Sequence, residues 1–316
     1  MIAPATCTHA DVVKHGRNRN GSQRWKCKTC NATFSDEHTP TGPLGNMQAD
    51  PDQVFLALRL LCEGMGVRAT ARITGLTVKT ITKAIVIVGE KCDTFMHEKV
   101  KGVSVDHCEI DEIWQFCGCK ERNRHKTKLT GYVGDVWTFF GICSDSKLIL
   151  AHESGRRTSE TADSFLNKLR RSITGRCQIT SDAYPGYRHA IPFKFLSDVD
   201  YSILIKTYQS DQQTRRYSPA AINTTERISQ FGNPDMDRCS TSYIERFNLS
   251  VRTGLRRFTR LALGFSKNVD VHVAMLSIWV CHYNFSAKHG TLKTTPAIAA
   301  GITNKKWSLR EVAESV

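Results

Sequence analysis

Three short stretches of this sequence place carboxylates where they can do chemistry. The first is Cys108-Glu109-Ile110-Asp111-Glu112-Ile113-Trp114-Gln115-Phe116. Its β-branched and aromatic residues fit a pleated, largely buried strand. Side chains alternate along a strand, so Glu109, Asp111 and Ile113 share one face and Glu112 takes the other. An acid buried there is costly unless it is solvated, paired or bound to metal. The second stretch is Ile179-Thr180-Ser181-Asp182-Ala183-Tyr184 and the third Ser242-Tyr243-Ile244-Glu245-Arg246-Phe247-Asn248. Taken together, Asp111, Asp182 and Glu245 make an Asp, Asp, Glu set suited to a hard divalent cation such as Mg²⁺ or Mn²⁺.

Such a set needs elements that bring distant residues together. Val105 to Phe116 reads as a first strand, and Tyr132 to Cys143 and Lys147 to Glu153 as two more. Ser144-Asp145-Ser146 supplies the turn between those two. Thr158 to Ile173 carries Phe165, Leu166 and Leu169 on one helical face, with Thr158 or Ser159 as cap. Cys177 to Asp182 is a fourth strand and Tyr201 to Thr207 a fifth. Three antiparallel strands, a crossover helix and two further strands predict an α/β fold, a ribonuclease-H-like mixed sheet. In it the first acid lies on the central strand and the second on its neighbour. The third acid sits on a helix starting near Thr241 or Ser242, with Ile244, Phe247, Val251, Leu255 and Phe258 as its buried stripe. Glu245, Asn248 and Arg252 share the adjacent face, one metal ligand beside two groups for a DNA backbone.

The chain has 316 residues and a surplus of 44 Lys and Arg over 30 Asp and Glu, a net +14, which favours a polyanion such as DNA as partner. No apolar run reaches membrane-spanning length and no signal pattern opens the chain. The 12 cysteines are scattered, as expected of reduced thiols in a cytosolic protein rather than a disulfide scaffold.

Residues 1–40 read as a zinc-ribbon-like module. Cys27-Lys28-Thr29-Cys30 is a C-x-x-C half-site, and Cys7 with His9 or His15 completes a candidate Zn²⁺ shell that lacks one expected cysteine. The alternative is a degenerate ribbon or an ordinary basic loop. Residues 41–50 form a Pro- and Gly-rich linker. Residues 51–100 follow as a helix-turn-helix. Val54, Phe55, Leu58, Leu61 and Cys62 form the first helical stripe, with Ala69 and Ile73 inward on the second helix. Gly75 makes the turn, and Val78, Ile81, Ile85 and Val88 face the core from the third. Lys79, Thr80, Thr82 and Lys83 then point outward, toward base edges and phosphates. A plain three-helix connector is the competing reading. Residues 101–260 are the catalytic domain and 261–316 a helical extension.

Other groups are weaker candidates. Glu112 points off the site's face and Glu109 lies one pleat away. Asp198 and Asp200 read as turn or solvent residues, and His272 as a core histidine. Cys117 and Cys119 read as plain thiols. Lys120 to Lys128 is expected to be a mobile basic loop, and Gln209 to Arg238 a polar insertion or surface loop.

At this point the chain resembles insertion-sequence transposases of the DDE class, most like the insertion-sequence-one type. Glu109 to Trp114, Ser181 to Tyr184 and Ile244 to Asn248 carry the resemblance, extended by Leu263 to Lys267 and Tyr283-Asn284-Phe285. Lys14-His15-Gly16 and Arg24 to Cys30 are similar to the ribbon of such proteins. Ala287-Lys288-His289 departs from relatives, which more often carry an arginine there. The resemblance implies a ribonuclease-H-like catalytic domain with Asp111, Asp182 and Glu245 as a divalent-metal triad. It would hold two Mg²⁺ (or Mn²⁺) ions per active site, roughly 3.5–4 Å apart, for hydrolysis and 3′-hydroxyl strand transfer on double-stranded DNA. Pairing two element ends calls for a homodimer or higher oligomer on DNA. The rival expectations are a catalytically idle DNA-binding regulator and a simple nuclease with the same sheet.

Overall fold

A computed structural model of the chain describes residues 11–18, 21–35, 42–45, 47–208, 222–259 and 262–316. Two compact units emerge, Met1–Gln48 and Ala49–Val316. In the first, β1 (Val12–Arg17), β2 (Gln23–Cys27) and β3 (Thr33–Ser35) form an antiparallel three-stranded sheet. Cys27 is buried at the end of β2 and Cys30 is exposed in the turn that follows. Asn31 has φ of 60°, which lets the chain double back toward β3.

The second unit begins with α1 (Pro51–Cys62), α2 (Val67–Thr74) and α3 (Val78–Lys99). The stripe on α1 is buried as its spacing predicts. Gly75 ends α2 in the left-handed region at φ 72°, where a side chain would be strained. Thr77 caps α3 by accepting from Thr80 N at 3.1 Å. On α2 the buried residues are Thr70 and Thr74, not Ala69 and Ile73, and Ile73 is 62% exposed. The helix is turned about one residue from the expected phase because Thr74 Oγ1 donates to Thr70 O at 2.9 Å, which satisfies the hydroxyl inside. Val78 is likewise exposed, while Ile81, Ile85 and Val88 are buried.

Next come β4 (Val103–Ser104), β5 (His107–Cys117), β6 (Gly134–Cys143) and β7 (Ile149–Gly155). After them follow α4 (Ser159–Ser172), β8 (Ile173–Thr174), β9 (Cys177–Ser181), α5 (Pro185–Arg188), α6 (Ala190–Phe195) and β10 (Val199–Tyr208). The last strand is β11 (Ile222–Phe231). The main sheet has the order β11-β10-β9-β5-β6-β7. Strands β5, β6 and β7 are antiparallel neighbours, and β9 joins β5 in parallel after the α4 crossover. The fold is therefore mixed α/β, with the first acid's strand at the centre and the second acid's strand beside it.

β11 corrects the expectation of a loop over this region. Ile222–Phe231 pairs antiparallel with β10 at the sheet edge. Most of its residues are exposed, so it shows no apolar alternation for a sequence reading to find. The segment from Lys120 is also more ordered than expected. Glu121–Lys126 forms a 3-10 turn, and Glu121 holds Arg156 and accepts from Asp135 N at 3.1 Å.

The chain ends with α7 (Ser242–Gly254), α8 (Val269–Cys281), α9 (Pro296–Ala299) and α10 (Leu309–Glu314). α8 is apolar nearly all round because it is buried on nearly every side. It crosses α3 at Gly89, where an added Cβ would lie 2.6 Å from the Cβ of Ala274, so the glycine permits the close approach. In the Tyr283-Asn284-Phe285 stretch, Asn284 accepts from Ile149 N and donates to Ile149 O, both at 2.9 Å. That amide ties the C-terminal helices to the start of edge strand β7. Among the described residues no helix is long and apolar enough to cross a membrane.

Candidate metal centre

The site follows from a difference in strand length. β9 pairs with β5 only over Gln178–Thr180 against His107–Glu109. Beyond Glu109 that edge of β5 has no strand partner until Cys117 bridges to Ser266. Asp182 follows directly on the last residue of β9 and lies beside that edge. Asp111, Glu112 and Asp182 each bring a carboxylate oxygen to a common point, all within 4.8 Å of one another.

Strand alternation alone turns Glu112 away from Asp111, yet its carboxylate joins the cluster. The register of β5 against β6 is regular, so the alternation itself holds. At an open strand edge, however, consecutive side chains from opposite faces can both reach round to a group lying beside the strand. Glu112 does so while its Oε1 sits 3.7 Å from Arg157 Nε.

Electrostatics mark the cluster as incomplete. Burial, followed by the charge of Asp182, pushes the Asp111 carboxyl up to about 7. Burial, then the charges of Asp182 and Asp111, push Glu112 up to about 8, with Arg157 pulling the other way. Buried like charges this close favour a shared proton or a bound cation. Glu112 Oε1 and Asn248 Oδ1 are also buried without a hydrogen-bond partner. A hard, all-oxygen donor set with orphaned acceptors fits a divalent cation of the Mg²⁺ or Mn²⁺ kind.

Helix α7 lies over the Asp111 face of the sheet. Glu109 anchors it there. Its buried Oε2 accepts from Ile244 N at 2.9 Å, close to the helix N-terminus, where a carboxylate is electrostatically favoured. Burial still raises the Glu109 carboxyl to about 7, with the Ile244 and Tyr243 N–H groups pulling the other way. Phe247 of α7 packs edge-on to Phe140 of β6 at 5.0 Å. The anchoring role of Glu109 was missed in the sequence, although strand alternation places it on the same face as Asp111.

The structure treats the three residues of α7 differently. Asn248 is buried and donates to Asp111 Oδ2 at 2.7 Å, which steadies the first acid. Arg252 contributes positive charge that opposes the rise at Asp111. Glu245 does not join the cluster of Asp111, Glu112 and Asp182. It is paired with Lys206 of β10 and accepts from Thr241 Oγ1 at 2.7 Å. Its charge nonetheless acts on Asp111.

The other expected residues fall as follows. Lys79 and Lys83 are exposed at the start of α3. Thr80 Oγ1 lies 2.9 Å from Thr77 Oγ1, and Thr82 Oγ1 donates to Val78 O at 2.8 Å, so both hydroxyls are engaged within the helix. Of the zinc ligands, Cys7 and His9 lie outside the described residues, while Cys27 and Cys30 flank the turn after β2. His272 is a core residue, with Nδ1 2.8 Å from Ser266 Oγ and its ring stacked on Phe258 at 4.9 Å. Asp198 and Asp200 are paired with Arg170 at 2.8 Å and Arg176 at 2.6 Å.

No protein-family model matches the chain. Among curated proteins it is similar to the insertion element iso-IS1n protein InsB of Shigella dysenteriae, with 24% identity over 178 residues, covering 56% of this chain and 96% of that protein. It is also similar to the insertion element IS1 protein InsB of Shigella sonnei, with 26% identity over 164 residues, covering 52% and 86%. One neighbour among solved structures is a cryo-EM structure of a piggyBac transposase synaptic complex with hairpin DNA. It aligns over 84% of this chain and 70% of that one, at 10% identity and a TM-score of 0.37, too low for the likeness to carry weight. Over about half of its length the chain is thus similar to InsB proteins of IS1-type insertion elements.

Proposed function

We propose that the chain is a DNA transposase with a ribonuclease-H-like catalytic core, cutting and rejoining phosphodiesters at the ends of a mobile element in the cytoplasm. The observation that carries this reading is the meeting of Asp111 and Asp182, from neighbouring strands, within 4.8 Å. Asp111, Asp182 and Glu245 are the proposed ligands of the divalent cation, with Glu112 adjoining them. Two such ions would polarise the phosphate and lower the pKa of an attacking water. The protein's own groups do the positioning. Asn248 fixes the orientation of Asp111, Glu109 holds the start of α7, and Lys206 pairs with Glu245 beside the cluster.

In the same reading, Lys79 and Lys83 meet the backbone of duplex DNA from a helix-turn-helix, with Thr80 and Thr82 beside them. Residues 1–40 act as a zinc-ribbon-like module, joined through 41–50 to the helices over 51–100. The chain works as a homodimer or higher oligomer, because two element ends must be held together. The net +14 supports a DNA partner.

The test uses linear DNA carrying the element's ends, with Mn²⁺. The native chain is expected to nick the end and to join the freed 3′-hydroxyl to a second duplex, and Asp182→Ala to do neither. Undiminished nicking by that variant would remove the assigned centre. Cutting without joining would indicate a nuclease, and end binding without cutting a regulator.

A further inference from the structure

The face of β5 that carries Glu112 continues past the acidic cluster as a row of aromatic rings. Trp114 and Phe116 follow Glu112 at alternate positions, and Trp137 of β6 stands directly opposite Trp114 in the antiparallel register. Helix α4 covers this face only nearer the core, where Phe165 packs on Phe139 at 5.9 Å. Beyond that point Trp114, Phe116 and Trp137 are half-exposed. Phe265, arriving from the segment before α8, extends the row by packing on Phe116 at 4.7 Å and 37°. The Trp114 and Phe116 rings are 5.8 Å apart at 39°.

Cations accompany the row. Arg157 lies between Trp137 and Tyr184, 4.8 and 4.3 Å from their ring centres. Lys120 stands 5.9 Å over Trp114, and Lys267 lies over Phe265. Arg157 is also the partner of Glu112, so the row starts at the acidic cluster itself. From Glu112 to Phe116 the strand rises roughly 13 Å, comparable to sheet platforms that stack two or three bases. A purely apolar protein partner has no use for cations spread along the rings. A nucleic-acid strand uses both features, since bases stack on aromatic faces and phosphates pair with Lys and Arg.

We infer that this face is a binding track for an unpaired DNA strand. Its bases stack on Trp137, Trp114, Phe116 and Phe265, and its phosphates meet Arg157, Lys120 and Lys267. The inference rests on the transposase reading and deepens it by naming the form of DNA the acidic centre receives: a strand already separated from its complement at the point of cutting.

The test measures binding of the full chain to a fluorescein-labelled oligothymidine of about 12 nucleotides and to a duplex of equal length, in EDTA. Trp114→Ala and Phe265→Ala are each expected to weaken the single-strand complex about tenfold and to leave the duplex complex nearly unchanged. Trp114→Phe, which keeps a stacking face, is expected to retain most of the affinity. Circular dichroism confirms that each variant is folded. Unchanged single-strand affinity in a folded Trp114→Ala, equal loss for both probes, or a Trp114→Phe as weak as the alanine variant would each overturn the track. Because no divalent metal is present, the result is independent of nicking. A metal centre that fails the Asp182 test leaves these affinities as they are, and a failed track leaves the Asp182 test intact.

Discussion

At one end of β5, His107 has both ring nitrogens partnered, Nδ1 with Ser144 Oγ at 2.9 Å and Nε2 with Thr180 Oγ1 at 3.0 Å. Thr180 passes the chain on to Ser202 at 2.9 Å. Four residues along the same strand, Asp111 and Glu112 face Asp182 with like charges and an orphaned acceptor. Both clusters are polar, the first fully buried and the second half-buried around Glu112, and both join β5 to β9 or its end. The first closes its hydrogen bonds internally, so it supports the sheet. The second holds a surplus of negative charge that Arg157 and Arg252 offset only in part. A buried polar group alone does not indicate function; a buried group left with unmet charge does.

The largest expected effect comes from removing one acid of the open cluster. Asp182→Asn should lower nicking at least about 10³-fold. In EDTA the same variant should unfold at the same temperature or a higher one, because a like charge has left the cluster. Mn²⁺ at 100 times its dissociation constant should stabilise the native chain by about 2.7 kcal/mol and the variant much less. Thermal unfolding with and without Mn²⁺ measures both. A variant that is less stable without metal would place the acidic cluster among the structural supports and erase the contrast with His107.

How much of this was readable beforehand depended on the kind of signal. Asp111 and Asp182 lie in apolar, β-branched surroundings, so strand patterns located them and the crossover helix put their strands side by side. The Phe165, Leu166 and Leu169 stripe placed α4 for the same reason, and all three are buried. Glu112 was misplaced because its approach depends on β9 stopping at Ser181 while β5 runs on to Cys117, a matter of relative register that no local pattern encodes. The partner of Glu245 was missed because Lys206 lies on another strand, 39 residues away. β11 escaped notice because an edge strand exposed to solvent carries no hydrophobic period. Ile73 went astray by one residue of helical phase, decided by the hydroxyl of Thr74 bonding inside the helix.

The closed cluster can be sharpened by acid. Burial, then the charge of Arg238, holds the His107 imidazole down to about 4, with Asp145 and Asp235 pulling the other way. The unfolded chain binds that proton near pH 6.5 and the folded chain does not. Stability is therefore full above pH 6.5 and falls as pH drops from 6.5 toward 4, by at most about 1.4 kcal/mol per pH unit for this one group. His107→Gln should flatten that limb of the curve, as measured by urea unfolding at several pH values. An unchanged slope would mean that His107 gains its proton in the folded state, and that its hydrogen bonds are not the closed set described.

The smallest effect concerns Thr180, whose hydroxyl serves His107 and Ser202 together. Thr180→Val keeps the shape and opens no cavity, so its cost is confined to the hydrogen bonds lost, about 1.5 kcal/mol. Nicking per folded molecule should stay at the native level, since the hydroxyl points into the His107 chain and Asp182 leaves the strand two residues later. A parallel loss of nicking would show that the supporting chain sets the position of Asp182. The two clusters would then be one mechanical unit, and the division between support and site along β5 would no longer stand.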